Sequence, residues 1–305
     1  MRTRLQGIFA PIPTCFTASG EVDHAAVGDN VRVWAGTDLA GLLALGSNGE
    51  AALLDEEESA AVIATVRDAL PRGALLLAGT GRESTRGAIA AAKRAAACGA
   101  DAVLVRTPSF FKSQMTADAL VAHFTAVADA APVPVLLYNL PAVTGVMLTL
   151  PVVARLAEHP NIVGIKETSP DLERLGQFAQ VEPARFAVLS GWAPVVFPAL
   201  VSGAAGAILA VANVVPDLCV DLYRHVQAGR LDEALALQRR ITPLAQLVTT
   251  GHSIGGLKVA LDLVGLRGGP VRPPLRPPAD RVRDEIARAL ADLGRSVPVV
   301  EPRTS

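Results

Sequence analysis

Eight short apolar runs recur along the chain, each separated from the next by a stretch long enough for a helix. This alternation limits the fold more than any other feature. The runs cover residues 7–12, 41–45, 75–79, 102–105, 133–138, 162–166, 186–190 and 206–209. Several are apolar at nearly every position, as parallel strands covered on both faces are. The intervening segments carry helix-start signals. Asp55 stands three residues before Glu58 in a capping-box spacing, and Ser84 opens a segment that Gly99 closes. Thr116 opens another, and Ser169-Pro170 has the order of an N-cap followed by a first-turn proline. Eight strand–helix units in one chain predict an α/β fold, a closed (β/α)8 TIM barrel. An open doubly wound sheet is the competitor. It would need an early glycine fingerprint, of which Gly79-Thr80-Gly81 is only a fragment.

The barrel core is expected over residues 1–215. Helices at about 216–228, 231–248 and 253–264, a proline-rich connector at 268–278 and a last helix near 279–293 follow it as part of the same domain. Residues 296–305 are expected to form a frayed polar tail. Half the residues are hydrophobic but only 4% are aromatic, a core of Ala, Val and Leu suited to close helix-on-sheet packing. The net charge of −1 gives no field for nucleic acid. Cys15, Cys98 and Cys219 form no CxxC pair and no even disulfide set. No apolar run has the length of a membrane span, and Pro11 and Pro13 interrupt any signal-peptide core. The expectation is a cytoplasmic protein without nucleic-acid or membrane partners.

Only four of the 28 basic residues are lysines, namely Lys93, Lys112, Lys166 and Lys258, and Lys166 closes the sixth apolar run. Arginine would serve any surface role and cannot lose its proton. A lysine at the end of a buried strand supplies an amine that can, and burial favours the neutral form that attacks a ketone to give a Schiff base. A buried lysine held in an ion pair is the alternative at this point. In such barrels the site lies at the C-terminal ends of the strands. The second run leads into Gly46-Ser47-Asn48-Gly49-Glu50, the fourth into Thr107-Pro108-Ser109-Phe110-Phe111, and the fifth ends at Tyr138. Thr168 follows the sixth, Gly191 the seventh, and Ile208 lies in the eighth. A glycine-flanked turn can present consecutive backbone N–H groups to an anion, and Ser47 and Asn48 add side-chain donors. An ordinary strand-to-helix turn is the other reading of the same residues.

Five motifs together resemble the dihydrodipicolinate synthase and N-acetylneuraminate lyase family of class I, pyruvate-type aldolases. They are Gly46-Ser47-Asn48-Gly49-Glu50, Leu77-Ala78-Gly79-Thr80-Gly81, Tyr138-Asn139-Leu140-Pro141, Gly164-Ile165-Lys166-Glu167 and Ala212-Asn213. The resemblance spans about residues 5–295, and within the family the segment looks most like 4-hydroxy-2-oxoglutarate aldolase. It implies a lyase that needs no cofactor beyond a covalent imine between Lys166 and a 2-oxo acid. It further implies that Tyr138 moves the proton on the substrate hydroxyl, with Ser47 beside it, and that Gly46, Ser47 and Asn48 bind the carboxylate. Glu50 would organise the loop. Thr168, Gly191 and Ile208 join the candidate substrate contacts, and a homodimer or homotetramer is the implied assembly.

Two departures narrow the expectation. Dihydrodipicolinate synthase carries an arginine two residues after the proline of its Tyr-Asn-x-Pro motif, and here that position is Val143. Many relatives place a relay tyrosine after the fourth strand, where this chain has Phe110 and Phe111. The pair either packs a subunit interface or lines a pocket for a less polar aldehyde half. The expected activity is aldol cleavage or condensation of pyruvate with an aldehyde. Alternatives are dehydration of a 2-keto-3-deoxy sugar acid, dihydrodipicolinate synthesis, or a barrel that binds a small molecule without turning it over. A metal-dependent aldolase would need clustered ligands, and His24, His123, His159, His225 and His252 are scattered.

Overall fold

The computed structural model describes residues 4–295. Eight parallel strands close on themselves in sequence order: β1 (Gly7–Pro11), β2 (Gly41–Ala44), β3 (Leu75–Gly79), β4 (Ala102–Arg106), β5 (Val135–Asn139), β6 (Ile162–Glu167), β7 (Ala187–Ser190) and β8 (Gly206–Ile208). The barrel is closed by β8 pairing with β1, with Phe9 opposite Ile208. The predicted TIM barrel is the observed fold, and each expected run falls on its strand to within two residues. The fifth starts at Val135 rather than residue 133 because Pro132 and Pro134 have no N–H for the ladder.

The strands are apolar throughout because they are covered twice. On β3, Leu75 and Leu77 point into the barrel with Phe9, Leu43, Leu104, Leu136 and Leu189. Leu76 and Ala78 point outward, into the layer shared with the helices. Small residues allow the helices to lie close. On the helix Thr85–Ala97, the buried positions are Ala88, Ala91, Ala92 and Ala95.

The capping box appears as expected. Asp55 accepts from the Glu57 and Glu58 N–H groups, and the Glu58 carboxylate accepts from Asp55 N at 3.0 Å. Such a cap contributes about 1 kcal/mol. Ser84 and Thr116 cap their helices by accepting from the Gly87 and Ala119 N–H groups. The expectation at Ser169-Pro170 is corrected. The helix there runs Leu172–Ala179 with Asp171 as its N-cap, accepting from Arg174 N at 2.9 Å. Asp171 out-competes Ser169 because its carboxylate is both a cap and an ion partner of Arg174, while Ser169 Oγ accepts from Asp171 N and from Arg174 Nη2.

Beyond β8, the helix Pro216–Gln227 packs against β1, Leu231–Gln246 packs on it, and Ser253–Leu263 packs on Arg281–Asp292. The expectation for 296–305 falls outside the described residues. Among the described residues no helix is long and apolar enough to cross a membrane.

Candidate active site

Tyr138 and Lys166 end neighbouring strands and are directly opposite in the β5–β6 register. The alternation that sends Leu136 into the barrel sends Tyr138 there too. Lys166 Nζ lies 3.4 Å from Tyr138 Oη and 4.5 Å from the centre of its ring. Tyr138 Oη lies 3.4 Å from Ser47 Oγ, which arrives from the turn after β2 on the far side of the mouth. Lys166 and Tyr138 are each 5% exposed, so the amine sits at the floor of the mouth and Ser47, which is exposed, at its edge.

Lys166 has no carboxylate within ion-pairing distance among the described residues, and this separates it from a structural buried lysine. The adjacent Glu167 is fully buried and turned away. It accepts from Asn139 Nδ2 at 2.6 Å and faces Arg174 at 3.5 Å. Asn139 in turn accepts from Leu148 N at 2.9 Å, so the ends of β5 and β6 are tied together beneath the mouth.

Two glycines keep the mouth open. A Cβ at Gly79 would collide with the carbonyl of Leu45, which sits in the left-handed region at φ 56°. A Cβ at Gly191 would collide with Thr168 Oγ1 and come within 2.9 Å of Lys166 Cε. The Thr168 hydroxyl borders that space, is buried, and has no partner among the described residues. A buried hydroxyl in that state costs free energy unless something else meets it.

The turn from 46 to 50 is closed by its own backbone, with Gly49 N donating to Gly46 O at 3.0 Å and Glu50 N to Ser47 O at 3.1 Å. Among the described residues the N–H groups of Ser47 and Asn48 donate to no protein acceptor. They form the two-donor arrangement that suits a carboxylate.

The remaining candidates range from buried to exposed. Ile208 is 1% exposed, within the apolar barrel interior beside Phe9 and Leu189. Val143 is 73% exposed on the short helix Pro141–Thr144, and Phe110 and Phe111 are 77% and 68% exposed on the rim. The two rings meet edge to face with centroids 5.0 Å apart. Their loop is anchored by a residue that the sequence reading passed over. Glu83 accepts from Ser109 N at 2.8 Å and Phe110 N at 2.9 Å, and pairs with Arg106 at 2.8 Å. Burial opposes ionisation of Glu83, but those two N–H groups and the Arg106 guanidinium outweigh it and bring its pKa to about 2.

A second missed feature lies behind the 46–50 turn. Lys258 Nζ meets Glu50 Oε1 at 2.6 Å, with side chains 2% and 0% exposed. Burial pulls the Lys258 ammonium below the usual lysine range, and Glu50 offsets part of that. Removing one member of such a pair costs about 3–5 kcal/mol. Its one sequence signal was the rarity of lysine.

Comparison with known proteins agrees over nearly the whole chain. Residues 4–293 match the dihydrodipicolinate synthetase family. A DapA-like lyase of Halobacterium salinarum is 37% identical over 290 residues, covering 95% of this chain and 94% of its own. A probable mitochondrial 4-hydroxy-2-oxoglutarate aldolase of Emericella nidulans is 35% identical, covering 92% of each chain. The crystal structure of the chloride-inhibited dihydrodipicolinate synthase from Acinetobacter baumannii, complexed with pyruvate, superposes with a TM-score of 0.89 at 33% identity, covering 95% of this chain and 99% of that one. With this barrel, this lysine and these relatives, the chain belongs to the dihydrodipicolinate synthetase family and is a carbon–carbon lyase.

Proposed function

We propose that the protein cleaves a 4-hydroxy-2-oxo acid to pyruvate and an aldehyde, through an imine on Lys166, and runs the same steps backwards as a condensation. One observation carries the reading. A buried lysine without a carboxylate partner among the described residues lies 3.4 Å from a tyrosine hydroxyl that is itself 3.4 Å from Ser47. The Lys166 amine attacks C2 of the 2-oxo acid, and water leaves to give a protonated imine. The substrate carboxylate lies on the Ser47 and Asn48 N–H groups. Tyr138 takes the proton from the C4 hydroxyl as it hands its own through Ser47 to water, the C3–C4 bond breaks, and the electron pair of that bond moves into the imine as an enamine. The aldehyde leaves, C3 is protonated, and water releases pyruvate and the free amine. The Thr168 hydroxyl, unpartnered among the described residues, borders the space beside Lys166, which supports a contact with a substrate oxygen.

Val143 argues against aspartate semialdehyde as the aldehyde partner. An arginine–carboxylate pair is among the stronger polar contacts, and a solvent-facing valine offers none. A steady-state comparison tests the assignment. Cleavage of 4-hydroxy-2-oxoglutarate, the first compound to try, is expected to exceed condensation of pyruvate with aspartate semialdehyde. Condensation with kcat/KM of about 10⁴ M⁻¹s⁻¹ or more, together with slower cleavage, would reverse it.

A further inference from the structure

The segment beyond the barrel reaches back to the turn after β2. Glu50 closes the 46–50 turn in the left-handed region, φ 54° and ψ 31°, a conformation that a non-glycine residue holds only when its surroundings fix it. Its carboxylate is what is fixed. Oε1 takes Lys258 Nζ at 2.6 Å, and Oε2 accepts from Arg272 N at 2.9 Å. Lys258 comes from the helix Ser253–Leu263 and also donates to Pro270 O at 2.7 Å. Its ammonium and the Arg272 guanidinium both lie against the Phe16 ring, 4.5 and 4.4 Å from the centroid. Arg272 then grips the helix that follows the turn, donating to Glu58 at 2.6 and 2.7 Å and to Leu53 O at 2.9 Å. On the other side, Thr14 Oγ1 donates to Gly49 O at 2.7 Å. The turn is therefore held from behind by charge, while the Ser47 and Asn48 N–H groups on its open side donate to no acceptor among the described residues.

We propose that Lys258 is a positioning residue for the reaction: paired with Glu50 beneath the 46–50 turn, it sets the direction of the Ser47 and Asn48 N–H groups and so the affinity for the carboxylate of the 2-oxo acid. It touches neither the substrate nor Lys166. The inference rests on the turn being the carboxylate cradle, and its signature is a loss confined to ligands that carry a carboxylate. A pair that served the fold alone would not distinguish one ketone from another.

The experiment is borohydride trapping on Lys166, read by peptide mass spectrometry, as a function of pyruvate and, separately, of acetone as a ketone without a carboxylate. Two variants are compared with wild type. Lys258→Met strips the charge from one side. Glu50→Gln with Lys258→Met removes both charges, and so stays folded if the single variant does not. The pyruvate concentration for half-trapping is expected to rise at least about tenfold in the folded variants, since displacing a binding group by about 1 Å costs up to about 10²-fold. Trapping at saturation and the acetone curve are expected to stay at wild-type values. Unchanged half-trapping by pyruvate overturns the proposal, and so does an equal rise for pyruvate and acetone. Wild-type protein that does not trap pyruvate on Lys166 at all overturns the reading of the site itself, a separate result.

Discussion

Replacing Tyr138 with phenylalanine removes a single oxygen from the centre of the site. That oxygen is 3.4 Å from Lys166 Nζ and 3.4 Å from Ser47 Oγ. Both contacts are long for hydrogen bonds of a hydroxyl. Their loss therefore costs folding no more than about 1 kcal/mol, or roughly 1–2 °C in Tm for a domain of this size. The ring still packs among the barrel-interior side chains and still lies under Lys166 Nζ, 4.5 Å from its centroid. Turnover responds on another scale. A lost general acid–base group lowers it about 10²–10⁴-fold, or about 2.7–5.5 kcal/mol of barrel-floor chemistry at about 1.4 kcal/mol per tenfold. The variant is assayed for Tm, for cleavage of a 4-hydroxy-2-oxo acid and for borohydride trapping. The expected pattern is a near-native Tm, retained trapping on Lys166 and slowed cleavage. Turnover within tenfold of wild type would refute the role given to the hydroxyl and favour proton transfer through water or the substrate.

Three further outcomes follow from the geometry. Gly191→Ala places a Cβ on Thr168 Oγ1 and 2.9 Å from Lys166 Cε, so it is expected to destabilise by about 1–3 kcal/mol and to impair trapping, with wild-type trapping as the contrary result. Glu83, held near a pKa of about 2, contributes stability that is fully present above the ordinary carboxylate range and lost as pH falls toward 2. The Tm advantage of wild type over Glu83→Gln is thus expected to shrink between about pH 4.5 and pH 2, and a gap that widens on acidification would contradict the anchor. Phe110 and Phe111, 77% and 68% exposed, are expected to bury themselves between copies of the chain, so sedimentation should show a dimer or tetramer that Phe110→Ser with Phe111→Ser weakens.

The sequence made the barrel legible because its period is local. Apolar runs, caps at Asp55, Ser84 and Thr116, and glycine after the helix at 99 are each visible within a few residues. Tyr138 and Lys166 could be placed together because strand ends share one rim. Ser169-Pro170 misled because a competing cap and ion pair at Asp171 depend on Arg174 folding back. The clamp of Glu50, Lys258 and Arg272 joins residues 208 and 222 positions apart, as 50 is to 258 and to 272, and no local pattern signals such a contact. Glu83 was passed over for a related reason, since its role lies in backbone N–H groups 26 and 27 residues away.

Lys166 is the residue that would carry the substrate, and borohydride trapping reads it out. Protein incubated with pyruvate and borohydride is digested, and the modified residue is located by mass spectrometry. A reduced pyruvate adduct is expected on Lys166 and none in Lys166→Arg, because a guanidinium cannot form the imine. An adduct on Lys258, Lys93 or Lys112 in place of Lys166, or one that survives in Lys166→Arg, would contradict it.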